Sequence, residues 1–438
     1  MEMEWVDPPH SAFPLLEELR LAFLLNLEAV CHGPIPMGCF ANLRVQIIEE
    51  CNSLKYIIWP PTTQARESVQ VFPQLVSLKL ERLPNLINFY STGTSDSQEP
   101  GSSFFNQIAL SELESLHLNP MDNVRTVWDN QDPNTFPNVE ELNLVFKGPV
   151  EIWCGQFSRE SFGKLRVLEI EACHDISLVI PHTIEQLIVR RCDSVEKVIQ
   201  VEGHAGETLP RLTIMYLEDL PMLRHLSGLG PILQNLQSLQ VSRCRNLINL
   251  VSPSMAKRLV QLKELTVDYC DEVKEIVENE GGEATDDEIL FTKLQKLELS
   301  FLPNLKSFCT ARYTFKFPCL IEMQVITCPK MEFFCKGDSI TERLQRVEMD
   351  YYHQRWENDL NTTIQKMFME TNAEPMEEDF EEYGDFEEYW DFKELDPKEE
   401  DSEDEVPDEE DDEDGDSEEQ HPNVEDSEGR SGSLGPRS

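Results

Sequence analysis

No run of about 18 apolar residues occurs anywhere in this chain, so the sequence offers no membrane-spanning helix. The opening residues, MEMEWVDPPH, hold neither a basic stretch nor an apolar one, which argues against a secretory leader. Positive charge is scarce: 37 Lys and Arg face 83 Asp and Glu, a formal net charge of −46. Nucleic-acid backbones are held by Lys and Arg, so no nucleic-acid partner is expected. The same scarcity argues against anionic membrane surfaces. The 12 cysteines include no CxxC pair and no metal-ligand spacing with the nine histidines. Neither a metal site nor a disulfide framework is expected, and reduced thiols in the cytosol are. The sequon Asn361-Thr362-Thr363 carries little weight without a secretory signal.

Catalytic signatures are missing as well. There is no HExxH and no G-x-S-x-G elbow, and no G-x4-G-K-[ST] loop, since Gly163-Lys164 lacks the preceding glycine. Paired carboxylates abound, as they must in so acidic a chain. The expectation is a non-enzymatic protein that takes no cofactor.

What is present is a phrase written again and again. Leu239 to Leu250 reads LQVSRCRNLINL, and Leu297 to Cys309 reads LELSFLPNLKSFC. Aligning such stretches gives the frame L-x2-L-x-[LVI]-x2-[LC]-x2-L-x2-[LVIF]. It is filled by Leu75, Leu78, Leu80, Leu83, Leu86 and Phe89, and again by Leu165, Leu168, Ile170, Cys173, Ile176 and Val179. Thirteen units start at positions 16, 43, 75, 113, 139, 165, 184, 212, 236, 262, 294, 320 and 344. This is the leucine-rich repeat signature. Its x-L-x-L-x core has period two and predicts a short strand with both leucines inward. No unit can bury its apolar face alone, so the units must stack.

The fourth frame position holds Cys51, Cys173, Cys192, Cys244, Cys270 and Cys328 in six units, and Leu-Pro in three: Leu83-Pro84, Leu220-Pro221 and Leu302-Pro303. A buried thiol acts as a small apolar residue with a weak donor, so these cysteines are expected to be buried and structural. Gln46 stands where an inward Leu belongs, and Lys147 breaks the fourth position of its unit. Two segments, Ser91 to Asn106 and Glu278 to Glu288, are expected as surface loops.

The mixture of LPNL units with C-x-x-L units, and the Phe-Pro openings at Phe13, Phe72, Phe136 and Phe317, resembles one family. It is similar to the leucine-rich region of plant intracellular disease-resistance proteins of the coiled-coil, nucleotide-binding class. The resemblance runs from about Met1 to Asp350, without the nucleotide-binding domain. It implies recognition of a protein in innate immunity: a pathogen effector, a guarded host protein or a nucleotide-binding receptor. It implies a location in the cytoplasm or nucleus. The expected fold is an α/β solenoid, a horseshoe with a concave parallel β-sheet and an irregular, short-helical convex side. The expected organisation is a repeat region over 1–350, a capping helix over 351–371 and a disordered acidic tail over 372–438.

With the paired leucines inward, the flanking positions of each strand point to the concave face. Over thirteen units these positions hold thirteen acids and five bases, the bases being Arg20, Lys79, Arg190, Lys296 and Arg346. The candidate binding residues are Glu169, Glu171, Arg190, Tyr216, Glu218, Asp268 and Glu298, with Ile188 and Ile326 as apolar additions. Leu360, Ile364, Met367 and Phe368 fall on one helical stripe, fit to cover the end of the ladder. From Thr371 to Ser438 the chain has 31 Asp and Glu against 4 Lys and Arg, too charged to fold alone. Tyr383, Phe386, Tyr389 and Trp390 punctuate its first part, and are the candidate contacts of an acidic-aromatic binding segment. The tail also admits a second reading: an acidic leucine-rich nuclear protein that binds histones or other basic proteins.

Overall fold

The computed structural model describes residues 13–32, 39–59, 72–91, 103–105, 108, 110–124, 126–129, 136–146, 151–154, 162–173, 181–199, 209–226, 229, 233–281, 287–349 and 353–373. The chain divides into two units, Met1–Pro375 and Met376–Ser438, and all described residues lie in the first. Lys147, most of the two insertions and all four tail aromatics lie outside the described residues.

The first unit is built on one 14-stranded sheet. Twelve five-residue strands come from successive repeats: Glu18–Ala22, Val45–Glu49, Ser77–Glu81, Ser115–Asn119, Glu141–Val145, Val167–Glu171, Gln186–Arg190, Ile214–Glu218, Ser238–Ser242, Glu264–Asp268, Lys296–Ser300 and Glu322–Ile326. Each pairs in parallel with the strand of the next repeat, position for position. Val347–Glu348 continues the series and Gln354–Arg355 ends it with an antiparallel pair. The inner leucines are sealed, as at Leu78, Leu80, Leu116, Leu118, Leu297 and Leu299, all 0% exposed. Their flanking positions are half-exposed, the alternation that a strand with one dry face requires. The first strand departs from this. Leu19 and Leu21 stay partly exposed, because among the described residues Glu18–Ala22 has a neighbouring strand on one side alone.

The turn after the strand explains the odd fourth frame position. The residue following the strand is left-handed in ten repeats: Phe23, Glu50, Arg82, Ala172, Arg191, Asp219, Arg243, Tyr269, Phe301 and Thr327, with φ between 50° and 58° apart from Tyr269 at 49°. None is glycine, although left-handed backbone costs an ordinary residue roughly 1–2 kcal/mol. The sheet holds them there. Apart from Thr327, their amides stay in the ladder and donate to the last strand carbonyl of the next repeat, as Arg191 does to Glu218 at 2.9 Å and Tyr269 to Ser300 at 3.1 Å. The reversal folds the last carbonyl of the repeat's own strand back over the next side chain. A thiol there donates to it: Cys192 to Arg190 at 3.1 Å, Cys270 to Asp268 at 3.2 Å and Cys51 to Glu49 at 3.4 Å.

A second ladder is made by asparagine. Asn85, Asn246 and Asn304 donate their side-chain amides to backbone carbonyls of the preceding repeat, at 2.7, 2.6 and 2.8 Å. These are the N of LPNL and of CRNL. Without them the turn carbonyls would be left unpaired as the chain leaves the sheet.

The return side is irregular, and its regular pieces are short parallel strands rather than helices. Examples are Ala29–His32 with Tyr56–Trp59 and Asn88–Tyr90, and Glu288–Leu290 with Thr314–Phe317 and Ser339–Thr341. Within the described repeats one four-residue helix occurs, Pro253–Ala256, capped by Ser252. Buried phenylalanines run between the two sides. Phe72, Phe89 and Phe104 meet edge to face at 6.2 Å, and Phe308 stacks on Phe334 at 4.8 Å. Phe104 and Phe105 correct the loop expectation for Ser91 to Asn106. Both are buried, and the Phe104 amide donates to Thr126 at 2.8 Å, so the end of that segment belongs to the core. At the other end, Leu360–Ala373 forms a helix that buries Leu360, Ile364 and Met367, while Phe368 is half-buried. Asn361 of the sequon is engaged, accepting from the Cys335 amide at 2.8 Å and donating to Gly337 at 3.1 Å.

Five of the six frame cysteines are buried, while Cys328 is half-buried. Burial pushes the thiols of Cys51 and Cys173 up, that of Cys192 to about 11 and that of Cys328 to about 12, and thiolate is the reactive form. Native protein at neutral pH is therefore expected to label slowly at Cys51, Cys173, Cys192, Cys244 and Cys270. Denaturant should release them all. Rapid native labelling at these positions would contradict the packing.

Candidate recognition face

The outward face of the main sheet carries the residues that the sequence singles out. Its centre is Arg190. The guanidinium pairs with Glu169 in the strand before it and with Glu218 in the strand after it, the latter at 3.5 Å. It also lies 4.9 Å over the ring of Tyr216. The Tyr216 hydroxyl donates to Glu218 at 2.8 Å. Burial, then this carboxylate, holds the phenol at about 12, so it stays protonated. Asn143, one repeat earlier, donates to the other side of Glu169 at 2.7 Å. Four of the seven predicted residues thus form one half-buried network across three consecutive repeats. Glu171 stands beside it but pairs with Arg191 at 3.1 Å. Asp268 and Glu298 lie farther along the sheet. Ile188, in register with Glu169 and Tyr216, is half-exposed, as is Ile326.

The electrostatics of this face are one-sided. Each of its five bases is tied to carboxylates of the same face. Arg20 pairs with Glu18, Lys79 with Glu49 and Glu81, and Lys296 with Glu298 at 3.2 Å and Glu322 at 3.7 Å. Arg346 pairs with Glu348 at 3.7 Å. The surplus acids, among them Glu141 and Glu264, remain exposed. A visiting molecule therefore meets spent cations and free carboxylates.

Asp268 is the most loaded of these. Burial raises its carboxyl above the ordinary 3.8, the Ser242 hydroxyl lowers it, and Glu298 and Glu218 add to the rise. With the folded value above the unfolded one, the stabilising effect is complete below about pH 3.8 and is lost as pH rises through the folded value. At neutral pH the ionised side chain is a net cost. Asp268→Asn is expected to melt above the wild type at pH 7, with the gap closing toward pH 4. Thermal scans across that range test it, and a variant that melts lower at pH 7 would overturn it.

Sequence reasoning missed Asn143, Arg191 and the whole left-handed row. The available signal was the column before the fourth frame position, which has no common residue type and so attracts no notice. Among the described residues no cluster of His, Cys, Asp and Glu is arranged to hold a metal ion, and no helix is long and apolar enough to cross a membrane.

A parallel strand from each repeat, a hydrogen-bonded turn and a short return define a leucine-rich repeat protein. More narrowly, residues 16–147, 138–271 and 229–349 match the family model of plant disease resistance protein RPS2-like leucine-rich repeats, and the chain belongs to that family. A curated relative, the probable disease resistance protein At4g27220 of Arabidopsis thaliana, is 28% identical over 161 residues, covering 33% of this chain and 17% of that protein. The chain thus matches a small part of that relative. Among solved structures, the pneumococcal vaccine antigen PcpA is 12% identical over 76% of this chain and 67% of that chain, with a TM-score of 0.19. The plant peptide hormone receptor RGFR1 in complex with RGF2 is 9% identical over 74% and 80%, with a TM-score of 0.13. Likenesses at these TM-scores carry no argument.

Proposed function

We propose that this chain is a non-enzymatic recognition module of plant defence, which presents the outward face of its main sheet to a protein partner. The observation that carries the proposal is the neutralisation of all five basic side chains by neighbouring carboxylates on a face that keeps acids to spare. Such a surface steers and selects a partner with basic patches. The partner class is a pathogen effector, a guarded host protein or a nucleotide-binding receptor, met in the cytoplasm or nucleus. ATP chemistry is not assigned, since the chain has no phosphate-binding loop. The acidic-aromatic segment with Tyr383, Phe386, Tyr389 and Trp390 is assigned a second contact, on a basic protein surface.

The test must spare the Arg190 network, because reversing Glu169 or Glu218 would place cations against its guanidinium. Glu141, Glu264 and Glu322 are exposed first-position residues of their strands. The triple variant E141K/E264K/E322K is expected to fold normally and to lose a protein that the wild type captures from plant extract, identified by mass spectrometry. Undiminished capture by the triple variant would refute the face assignment. Core histones as the captured proteins would favour the acidic nuclear reading.

A further inference from the structure

The left-handed residue after each strand is the place in the repeat where the fold fixes the backbone and ignores the side chain. The position accepts Ala172, Glu50, Asp219 and Thr327 equally, so nothing in the turn asks for a ring. Yet three consecutive repeats place Arg243, Tyr269 and Phe301 there. The rings of Tyr269 and Phe301 lie parallel, with centroids 4.4 Å apart and planes at 7°. The Arg243 guanidinium sits 5.8 Å from the centre of the Tyr269 ring. Tyr269 is 46% exposed. Bulky side chains in left-handed backbone are outliers, and a ring as open as Tyr269 returns little stability for that strain, while Phe301 is half-buried. The stack ends at Phe301. Its neighbour in the row is Thr327, which brings no ring, and among the described residues Phe301 has Tyr269 as its sole ring contact.

Beside this ledge run the last positions of the same strands, paired in register as Ser242, Asp268, Ser300 and Ile326. Ser300 is 4% exposed and its hydroxyl has no partner among the described residues. One Asp268 carboxylate oxygen is likewise buried and without a partner. From Ile214 to Ile326, the outward strand positions hold five carboxylates (Glu218, Glu264, Asp268, Glu298 and Glu322) against Lys296 alone, and Lys296 is already paired.

We propose that the Tyr269–Phe301 ledge, with Asp268 and Ser300 beside it, is the anchoring subsite of the recognition face, and that it takes an arginine side chain from an extended, basic segment of the protein partner. A guanidinium is planar and weakly hydrated, stacks on aromatic faces and donates five N–H bonds in one plane. Laid on the outer face of Phe301 it continues the order guanidinium, ring, ring with a second guanidinium. Its edge is then turned toward the carboxylates beside the ledge, where Asp268 has one oxygen without a partner among the described residues. A lysine ammonium carries the charge but not the plane. The inference rests on the recognition reading above and adds the residue type that is read.

The experiment uses the full chain and a fluorescein-labelled decapeptide carrying two arginines in a Gly/Ser background, with the lysine counterpart as control. Binding is followed by fluorescence anisotropy. The arginine peptide is expected to bind about tenfold more tightly than the lysine peptide. Y269N/F301N is expected to weaken the arginine peptide at least tenfold. Asparagine tolerates left-handed backbone better than an aromatic does, so this variant should melt no lower than the wild type. If it loses its melting transition, F301N alone, read against competition by free argininamide, decides by the same criterion. Absence of binding to the wild type, equal affinity of the two peptides, or unchanged affinity of the asparagine variants would overturn the proposal. Failure of the wider reading looks different. There E141K/E264K/E322K keeps its captured protein, whereas a failed ledge leaves that capture sensitive to the triple variant and indifferent to Y269N/F301N.

Discussion

Leu239→Ala is expected to lower the unfolding free energy by about 2–5 kcal/mol, the range for truncating a buried leucine. Leu239 is 1% exposed and sits mid-strand, with Met215 on one side and Leu265 on the other. It therefore packs in two repeat interfaces at once. In a stacked array, stability is the sum of such nearest-neighbour terms, and a cavity in the ninth unit weakens its interfaces with both the eighth and the tenth. The effect is read as a lowered denaturation midpoint in urea. An unchanged midpoint would mean that the inward positions are misassigned.

Gln46→Leu is expected to act in the opposite direction. Gln46 occupies an inward position, in register with Leu19 before it and Leu78 after it. It is 0% exposed, and neither its amide nitrogen nor its carbonyl oxygen has a partner among the described residues. A buried polar group left unsatisfied costs about 1–3 kcal/mol, and leucine at this position fills a site that almost every other repeat fills the same way. The variant should melt higher by a corresponding amount. A lower melting temperature would show that the amide is bonded by chain outside the described residues.

Much of the candidate face was visible as positions but not as partners. Glu169, Arg190, Tyr216 and Glu218 were placed on one surface by period-two alternation. Their joining into one network was not visible. Arg190 reaches back 21 residues to Glu169 and forward to Glu218, and the bonds depend on register across repeats of unequal length. The same holds for Glu171, whose partner Arg191 is 20 residues on and belongs to the turn rather than the strand. Cys328 was grouped with five buried cysteines because the frame treats all six alike. It is half-buried near the end of the sheet, where the strands shorten to Val347–Glu348.

By itself the sequence determined the repeat, the inward leucines, the parallel sheet and the family. These follow from local alternation and from spacing along the chain, and the covalent order of residues carries both. Tertiary structure alone decided three things. It spent every cation of the sheet face on a neighbouring carboxylate, it left Gln46 without a partner, and it forced non-glycine residues into left-handed turns whose side chains line up as a ledge. The physical reason is common to all three. Stacking brings together residues about 20 to 40 positions apart, at the spacing of adjacent strands, and what a side chain does there depends on the neighbouring repeat rather than on its own.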